Sequence, residues 1–304
     1  MVNLSNSMLI HIIVTKFRCF VKKNKEVKML KYIIFVTEEK VPEMKTLEAE
    51  CKDKGVCVFY TLPEEETLIS ETLYITDHEE ISKGFLEERA NVLVWLHENN
   101  KHMNLSQAPY AMENIQELDF SYAERIWKRF QNLPWIITET DRCIIREMAE
   151  EDLDAVYEIY AGNTITRYME GLYENREEEL KYTRSYIQNA YRFWGYGTWI
   201  IEKKSEKKII GRVGFNLRDG FEEVELGFVI MEEEQQKGYA YECCQKVLKI
   251  GQEEYEFEKV QALVREGNNA SISLCHKLGF EYQGKVQEEG EEYLRFLYTY
   301  PTSF

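Results

Sequence analysis

Glu225-Leu226-Gly227-Phe228-Val229-Ile230-Met231-Glu232-Glu233-Glu234-Gln235-Gln236-Lys237-Gly238-Tyr239-Ala240 is the stretch whose reading decides the fold. Apolar residues gather from Leu226 to Met231, as in a largely buried strand. From Ala240 onward, the small and apolar residues Cys243, Cys244, Val247, Leu248 and Gly251 recur at helical spacing. The stretch therefore predicts a strand, a turn through Gln235 to Ala240, and a helix. A helix begins with unpaired backbone N–H groups and a positive dipole end. Glycine at 238 lets a ligand approach that backbone closely. Together these features predict a site for a pyrophosphate.

Downstream, Val260-Gln261-Ala262-Leu263-Val264 reads as another strand. In the segment that follows, Asn269 or Ser271 offers a helix N-cap and Gly279 a helix stop. The pattern Gln235-x-x-Gly238-x-Ala240 after a strand resembles the acyl-CoA pyrophosphate loop of the GNAT superfamily of N-acyltransferases. Asn268-x-x-Ser271 with Lys277-Leu278-Gly279-Phe280 resembles the second block of the same superfamily, in the right order and at the right separation. Upstream, the strand Arg142 to Met148 and the acid-headed amphipathic helix Glu150 to Tyr160 resemble the usual opening of such domains. A long helix from Glu177 to Trp194 follows. Thr198 to Glu202 and Lys208 to Phe215 read as adjacent strands, with Gly211 at a position where the family often has Ile-Gly. Tyr293 to Tyr300 is the final strand. The resemblance covers about residues 140–300, and its branch includes ribosomal-protein N-terminal alanine acetyltransferases.

The resemblance implies an α+β domain with a mixed, splayed central sheet and acetyl-CoA as co-substrate. In that reading the loop starting at Gln235 holds the pyrophosphate through the backbone of Gln236, Lys237, Gly238, Tyr239 and Ala240. The edge Phe228, Val229, Ile230 pairs with the pantetheine arm, and one N–H there polarises the thioester carbonyl. Asn268 contacts the CoA arm, or serves as a turn or capping residue. Glu225 is the candidate base, acting through water, with Glu223 as the fallback. Cys275 stands where many members carry a tyrosine. A thiol there can protonate the leaving thiolate or simply pack; Tyr282, Tyr298 or solvent are the other sources. No metal is implied. The acceptor is an amine, on a small molecule or a protein N-terminus. The rival reading is a non-catalytic acyl-CoA-binding sensor or interaction protein.

The 304 residues suggest two domains. A formal charge of -16 argues against nucleic acid or an anionic membrane surface as partner and makes a cationic acceptor electrostatically welcome. Seven cysteines without paired CxxC blocks read as reduced thiols in a cytoplasmic protein. Five histidines have no metal-ligand spacing. No apolar run reaches the length of a membrane span. The sequence leaves the oligomeric state open, a dimer included.

Residues 1–28 read as a poorly ordered extension, with Met29 a second plausible start. Residues 29–137 alternate strand-like and helix-like runs, which predicts a parallel, Rossmann-like α/β domain. Leu73-Tyr74-Ile75-Thr76-Asp77 and Ala90 to Trp95 faintly resemble a haloacid-dehalogenase-like fold. The Asp-x-Asp pair such an enzyme needs is missing: Phe35-Val36-Thr37-Glu38-Glu39 stands there. Asp77 is expected in a solvated loop and the domain to be a non-catalytic accessory module. Residues 138–304 form the second domain. The acidic clusters Glu232 to Glu234 and Glu288 to Glu292 are expected as solvated loops.

Overall fold

The structure is a computed structural model that describes residues 29–63, 67–169, 171–288 and 290–301. The extension expected over 1–28 lies outside the described residues. The chain divides into two compact units between Leu133 and Pro134. That is earlier than the expected break at 137/138, because Ile136–Glu139 is an edge strand of the second unit's sheet.

The first unit runs β1 (Tyr32–Phe35), α1 (Lys45–Asp53), β2 (Cys57–Phe59), β3 (Thr72–Thr76), α2 (Glu79–Glu87), β4 (Asn91–Trp95), β5 (Tyr110–Met112) and α3 (Phe120–Gln131). The strands pair in parallel in the order β2-β1-β3-β4-β5. This is the flavodoxin-type doubly wound order, not the 3-2-1-4-5 order of the expected Rossmann-like domain. Every residue of β3 and β4 is buried, as a sheet covered on both faces requires. Leu47 and Cys51 of α1 and Trp127 of α3 pack on one face with Ile33 and Leu93. Ile81 and Phe85 of α2 pack on the other with Ile34 and Val92.

Asp77 corrects the sequence reading. It is 2% exposed rather than solvated. Its two carboxylate oxygens accept the N–H groups of Glu38 and Glu39, at 2.9 and 2.8 Å, and His97 Nε2 lies 3.2 Å from Oδ2. The side chain ties the loop after β1 to the end of β3. The haloacid-dehalogenase-like reading gains no support there.

The second unit comprises β6 (Ile136–Glu139), β7 (Cys143–Arg146), α4 (Leu153–Tyr160), α5 (Arg176–Tyr186), β8 (Thr198–Lys203), β9 (Lys208–Asn216), β10 (Val224–Ile230), α6 (Tyr239–Glu253), β11 (Lys259–Arg265), α7 (Asn269–Leu278), β12 (Glu281–Glu288) and β13 (Glu291–Thr299). Its sheet has the order β12-β13-β11-β10-β9-β8-β7-β6. β10 and β11 are parallel and the other neighbours antiparallel, so the sheet is mixed. β9 and β10 stay in register from Asn216↔Glu225 to Gly211↔Ile230. β10 and β11 pair only at Val224↔Val260 and Glu225↔Gln261, then separate. α6 packs on this sheet through Cys243, Cys244 and Val247, all without exposed surface. Gly251 is small for a reason: a Cβ there would lie 2.5 Å from the Tyr300 hydroxyl and 2.8 Å from the Phe215 ring.

Three elements differ from expectation. The helix predicted from Glu177 to Trp194 is α-helical only to Tyr186, and Ile187–Trp194 is a π-helical turn. The wider turn seats the buried Tyr191 so that its hydroxyl accepts Met148 N–H at 3.2 Å and donates to Thr198 O. Glu288 belongs to β12 and pairs with Arg218 at 3.3 Å rather than lying in a solvated loop. Glu234 is buried between Lys237, at 3.0 Å, and Lys203, at 3.5 Å.

Candidate functional site

The turn between β10 and α6 has the form its sequence requires. Gly238 is the N-cap of α6 at φ +87°, a left-handed conformation, and no side chain caps the helix. The first-turn N–H groups of α6 therefore have neither an intrahelical acceptor nor a side-chain one. Gln236 also has positive φ, at 59°. Two side chains fix the loop. Gln235 Nε2 donates to Ile230 O at 3.0 Å, so it braces the strand end rather than facing a ligand. Arg142 Nη1 donates to Lys237 O at 3.0 Å, its Nη2 pairs with Glu242 at 2.6 Å, and its guanidinium lies 4.1 Å from the Tyr239 ring centroid. Lys237 is spent on Glu234. Ala240 continues the first turn of α6. Sequence reasoning missed Arg142, because an arginine before a strand carries no signal that separates a loop brace from ordinary surface charge.

Strand alternation sorts the three edge residues. Met231 N–H donates to Ile210 O at 2.8 Å. With the β9 register, this turns the N–H groups of Val229 and Met231 toward β9, and those of Phe228 and Ile230 toward β11. Phe228 and Ile230 therefore present amides to the gap where β10 and β11 part, whereas Val229 spends its N–H on β9. Asn268, at the far end of β11, is the N-cap of α7, in place of the expected Ser271 or Asn269. Its Oδ1 accepts Ser271 N–H at 3.2 Å. The cap uses the oxygen and leaves the amide NH2 as the group that can meet a ligand.

Glu225 sits at the last paired position before the gap. It is 6% exposed and accepts a 2.5 Å hydrogen bond from Arg218 Nε. Burial pushes its pKa up; Arg218 pulls against that shift, Glu288 adds to it, and the Leu263 N–H opposes it. A carboxylate with raised pKa at the mouth of the gap can take a proton near neutral pH. Glu223, the fallback, is bound to Arg295 at 2.6 Å.

A cavity of about 890 Å³ opens on this region. Glu225, Phe228 and Leu263 line it together with Tyr160, Tyr182 and Trp194. Cys275 is not among its lining residues. It is 1% exposed in the core, and burial pushes its thiol up to about 12. Tyr282 is exposed on β12, and Tyr298 packs against Tyr300 and Phe280. Among the described residues, no three His, Cys, Asp or Glu side chains stand together to hold a metal ion. No described helix is long and apolar enough to cross a membrane.

Residues 142–281 match the acetyltransferase (GNAT) domain family. The chain is 32% identical over 156 residues to a protein of Bacillus subtilis (strain 168) called uncharacterized N-acetyltransferase YoaA, covering 50% of this chain and 86% of that protein. It is 24% identical over 165 residues to the [ribosomal protein uS5]-alanine N-acetyltransferase of Escherichia coli (strain K12), covering 52% of this chain and 84% of that protein. An acetyltransferase crystal structure from Agrobacterium tumefaciens str. C58 superimposes with TM-score 0.47 and 22% identity, over 54% of this chain and 94% of that one. The family match falls within the second unit.

Proposed function

We propose, from the premise that the chain belongs to the GNAT acetyltransferase family, that its C-terminal unit transfers an acetyl group from acetyl-CoA to an amine. The observation that carries the reading is the gap between β10 and β11, with a glycine-capped helix start at one end and a buried carboxylate at the other.

The residues fit the co-substrate. The α6 first turn supplies N–H groups and a positive dipole end for a pyrophosphate, and Arg142 holds that loop in shape. The gap offers the Phe228 and Ile230 amides to a pantetheine arm, and Asn268 offers its NH2. Acetyl-CoA supplies a thioester, whose carbonyl one of the two edge amides would polarise. Glu225 accepts the ammonium proton directly or through a water. The neutral amine then attacks the thioester carbonyl, the C–S bond breaks as the C–N bond forms, and the nitrogen sheds its second proton to solvent. The departing thiolate takes its proton from solvent or a cavity tyrosine rather than from Cys275, which lies outside the cavity.

The N-terminal unit is an accessory module in this reading: Asp77 spends both its oxygens on backbone amides. The described cysteines are free thiols, which fits a cytoplasmic setting. Thiol release from acetyl-CoA over a panel of amines tests the proposal. Tight acetyl-CoA binding with no thiol release to any amine would favour the sensor reading instead.

A further inference from the structure

The charge of the acceptor cavity does not follow the charge of the chain. The sequence carries -16, yet among the described residues the charged side chains lining the cavity are Arg212, Arg218 and Arg265 against Glu179 and Glu225. Arg218 is matched by Glu225 and Glu288. Glu179 accepts the Tyr173 N–H at 2.9 Å. Arg212 is different. Among the described residues no carboxylate lies within ion-pair distance of it, and its Nε is shut off from solvent with no hydrogen-bond partner. Its neighbours are phenols: Tyr160, whose hydroxyl is its hydrogen-bond partner, with Tyr186 and Tyr191 beside it. A half-buried guanidinium whose Nε is cut off from water, with no counter-charge beside it, is an unfavourable arrangement that an anion relieves.

Its place in the sheet gives that anion a geometry. Arg212 pairs with Val229, and Glu225 pairs with Asn216. Val229 and Glu225 are four residues apart on β10, so both pairs project to the same face, about 13 Å apart along the strand. Between them lies the pair Gly227 and Gly214. A Cβ added at Gly227 would meet a single atom within 4 Å, Asn216 Nδ2 at 3.0 Å. At Gly214, by contrast, a Cβ would strike the Gly197 backbone, so the open path between the base and the guanidinium runs over Gly227, with the Asn216 amide at its side. Arg212 and Glu225 both line the one cavity.

We propose that the acceptor is an amine carrying an acid group a few bonds from its nitrogen. Its amine lies toward Glu225, its acid group is held by Arg212, and the chain between them crosses Gly227. Arg212 is then a specificity-determining residue rather than a catalytic one. A planar guanidinium suits a carboxylate or a phosphonate, and the tyrosines around it supply hydrogen bonds and flat apolar faces. The inference rests on the amine-transfer reading above.

The test compares matched amines on the full chain with saturating acetyl-CoA. The pairs are 4-aminobutyrate against 4-aminobutyramide and 6-aminohexanoate against 6-aminohexanamide, with 2-aminoethylphosphonate and spermidine alongside. Acids are expected to exceed their own amides by at least about tenfold in kcat/KM, the 1.4 kcal/mol or more of a charge-assisted hydrogen bond. The carboxylate and phosphonate arms identify which acid is used. Arg212→Met should abolish that preference by raising KM for the acids with kcat largely kept. Its effect on the amides and on acetyl-CoA binding should be much smaller than its effect on the acids, and Arg212→Lys should restore part of the preference. Amides or spermidine matching the acids, or an acid preference that survives Arg212→Met, would overturn the proposal. If no amine turns over while acetyl-CoA binds, the transfer reading falls. Arg212 is then judged by calorimetry with 4-aminobutyrate and acetyl-CoA: equal binding to parent and Arg212→Met overturns the anion site as well.

Discussion

Glu225→Gln separates a base from a structural carboxylate. Glutamine keeps the shape of the side chain and an oxygen that can still accept from Arg218 Nε, while removing charge and basicity. Two consequences differ in size. The hydrogen bond to Arg218 changes from charge-assisted to neutral, a loss of about 1 kcal/mol. Arg218 keeps Glu288 at 3.3 Å, so it is not left without a counter-charge. A loss of that size lowers the melting temperature by roughly 2–4 °C for a unit of this length. The kinetic consequence is larger: removing a general base costs roughly 10²–10⁴ in kcat, or about 3–5 kcal/mol. The two effects therefore differ enough to be told apart.

The pH profile supplies the sign. Burial raises the pKa of Glu225, and the base is the deprotonated form. Activity of the parent should therefore fall as pH drops through a value above the ordinary carboxylate range. That acid limb should vanish in Glu225→Gln, leaving a low, flat rate. The assay is thiol release with a responsive amine across pH, with acetyl-CoA affinity measured separately and expected to be unchanged. An acid limb that persists in the variant, or a kcat within about threefold of the parent, would refute the assignment. It would point to Glu223 or to an amine that arrives already neutral.

Gly238→Glu should reduce acetyl-CoA affinity by well over tenfold on titration calorimetry. It places a negative charge at the α6 start and forces an L residue to φ +87°, at about 1–2 kcal/mol of strain. Gly238→Ala should show the strain in its melting temperature with a much smaller affinity loss. Cys275→Ala should lower the melting temperature by a few degrees and leave kcat within about twofold, since the thiol is packed outside the cavity; a changed alkaline limb would show that the thiol exchanges a proton after all. A fragment of residues 134–304 should stay folded and bind acetyl-CoA, whereas one starting at residue 140 lacks β6 and should be less soluble because β7 becomes an open edge. Equal solubility of the two fragments would mean that β6 adds nothing to the sheet.

The elements whose residues speak locally were legible in the sequence. β10, the Gly238 turn and α6 follow from an apolar run, a glycine and helical spacing, and the structure has each where the pattern puts it. The break in the sheet was reached by resemblance alone, because nothing in Val260 to Val264 says that pairing with β10 stops after Gln261. What stayed hidden depends on partners far away in the chain. Glu234 and Glu288 look like surface charge until Lys203 and Arg218 arrive. Asp77 looks solvated until the loop after β1 folds over it. The π-helical turn is set by Tyr191 reaching Met148 and Thr198, which no periodicity records. Arg142 and Arg212 are each one charge on a strand or at its edge, and only the third dimension distinguishes a loop brace from a half-buried cation in the cavity wall.

The two-residue join between β10 and β11 makes the eight-stranded sheet two plates meeting at a seam. One plate is β6 to β10; the other is β11, β13 and β12, which carries α7. In amide deuterium exchange, the Phe228 and Ile230 amides, though central in the sheet, should exchange at rates typical of a loop. Their neighbours Val229 and Met231, bonded to β9, should be among the slowest. A ligand laid into the seam would rivet the plates, slowing Phe228 and Ile230 in particular.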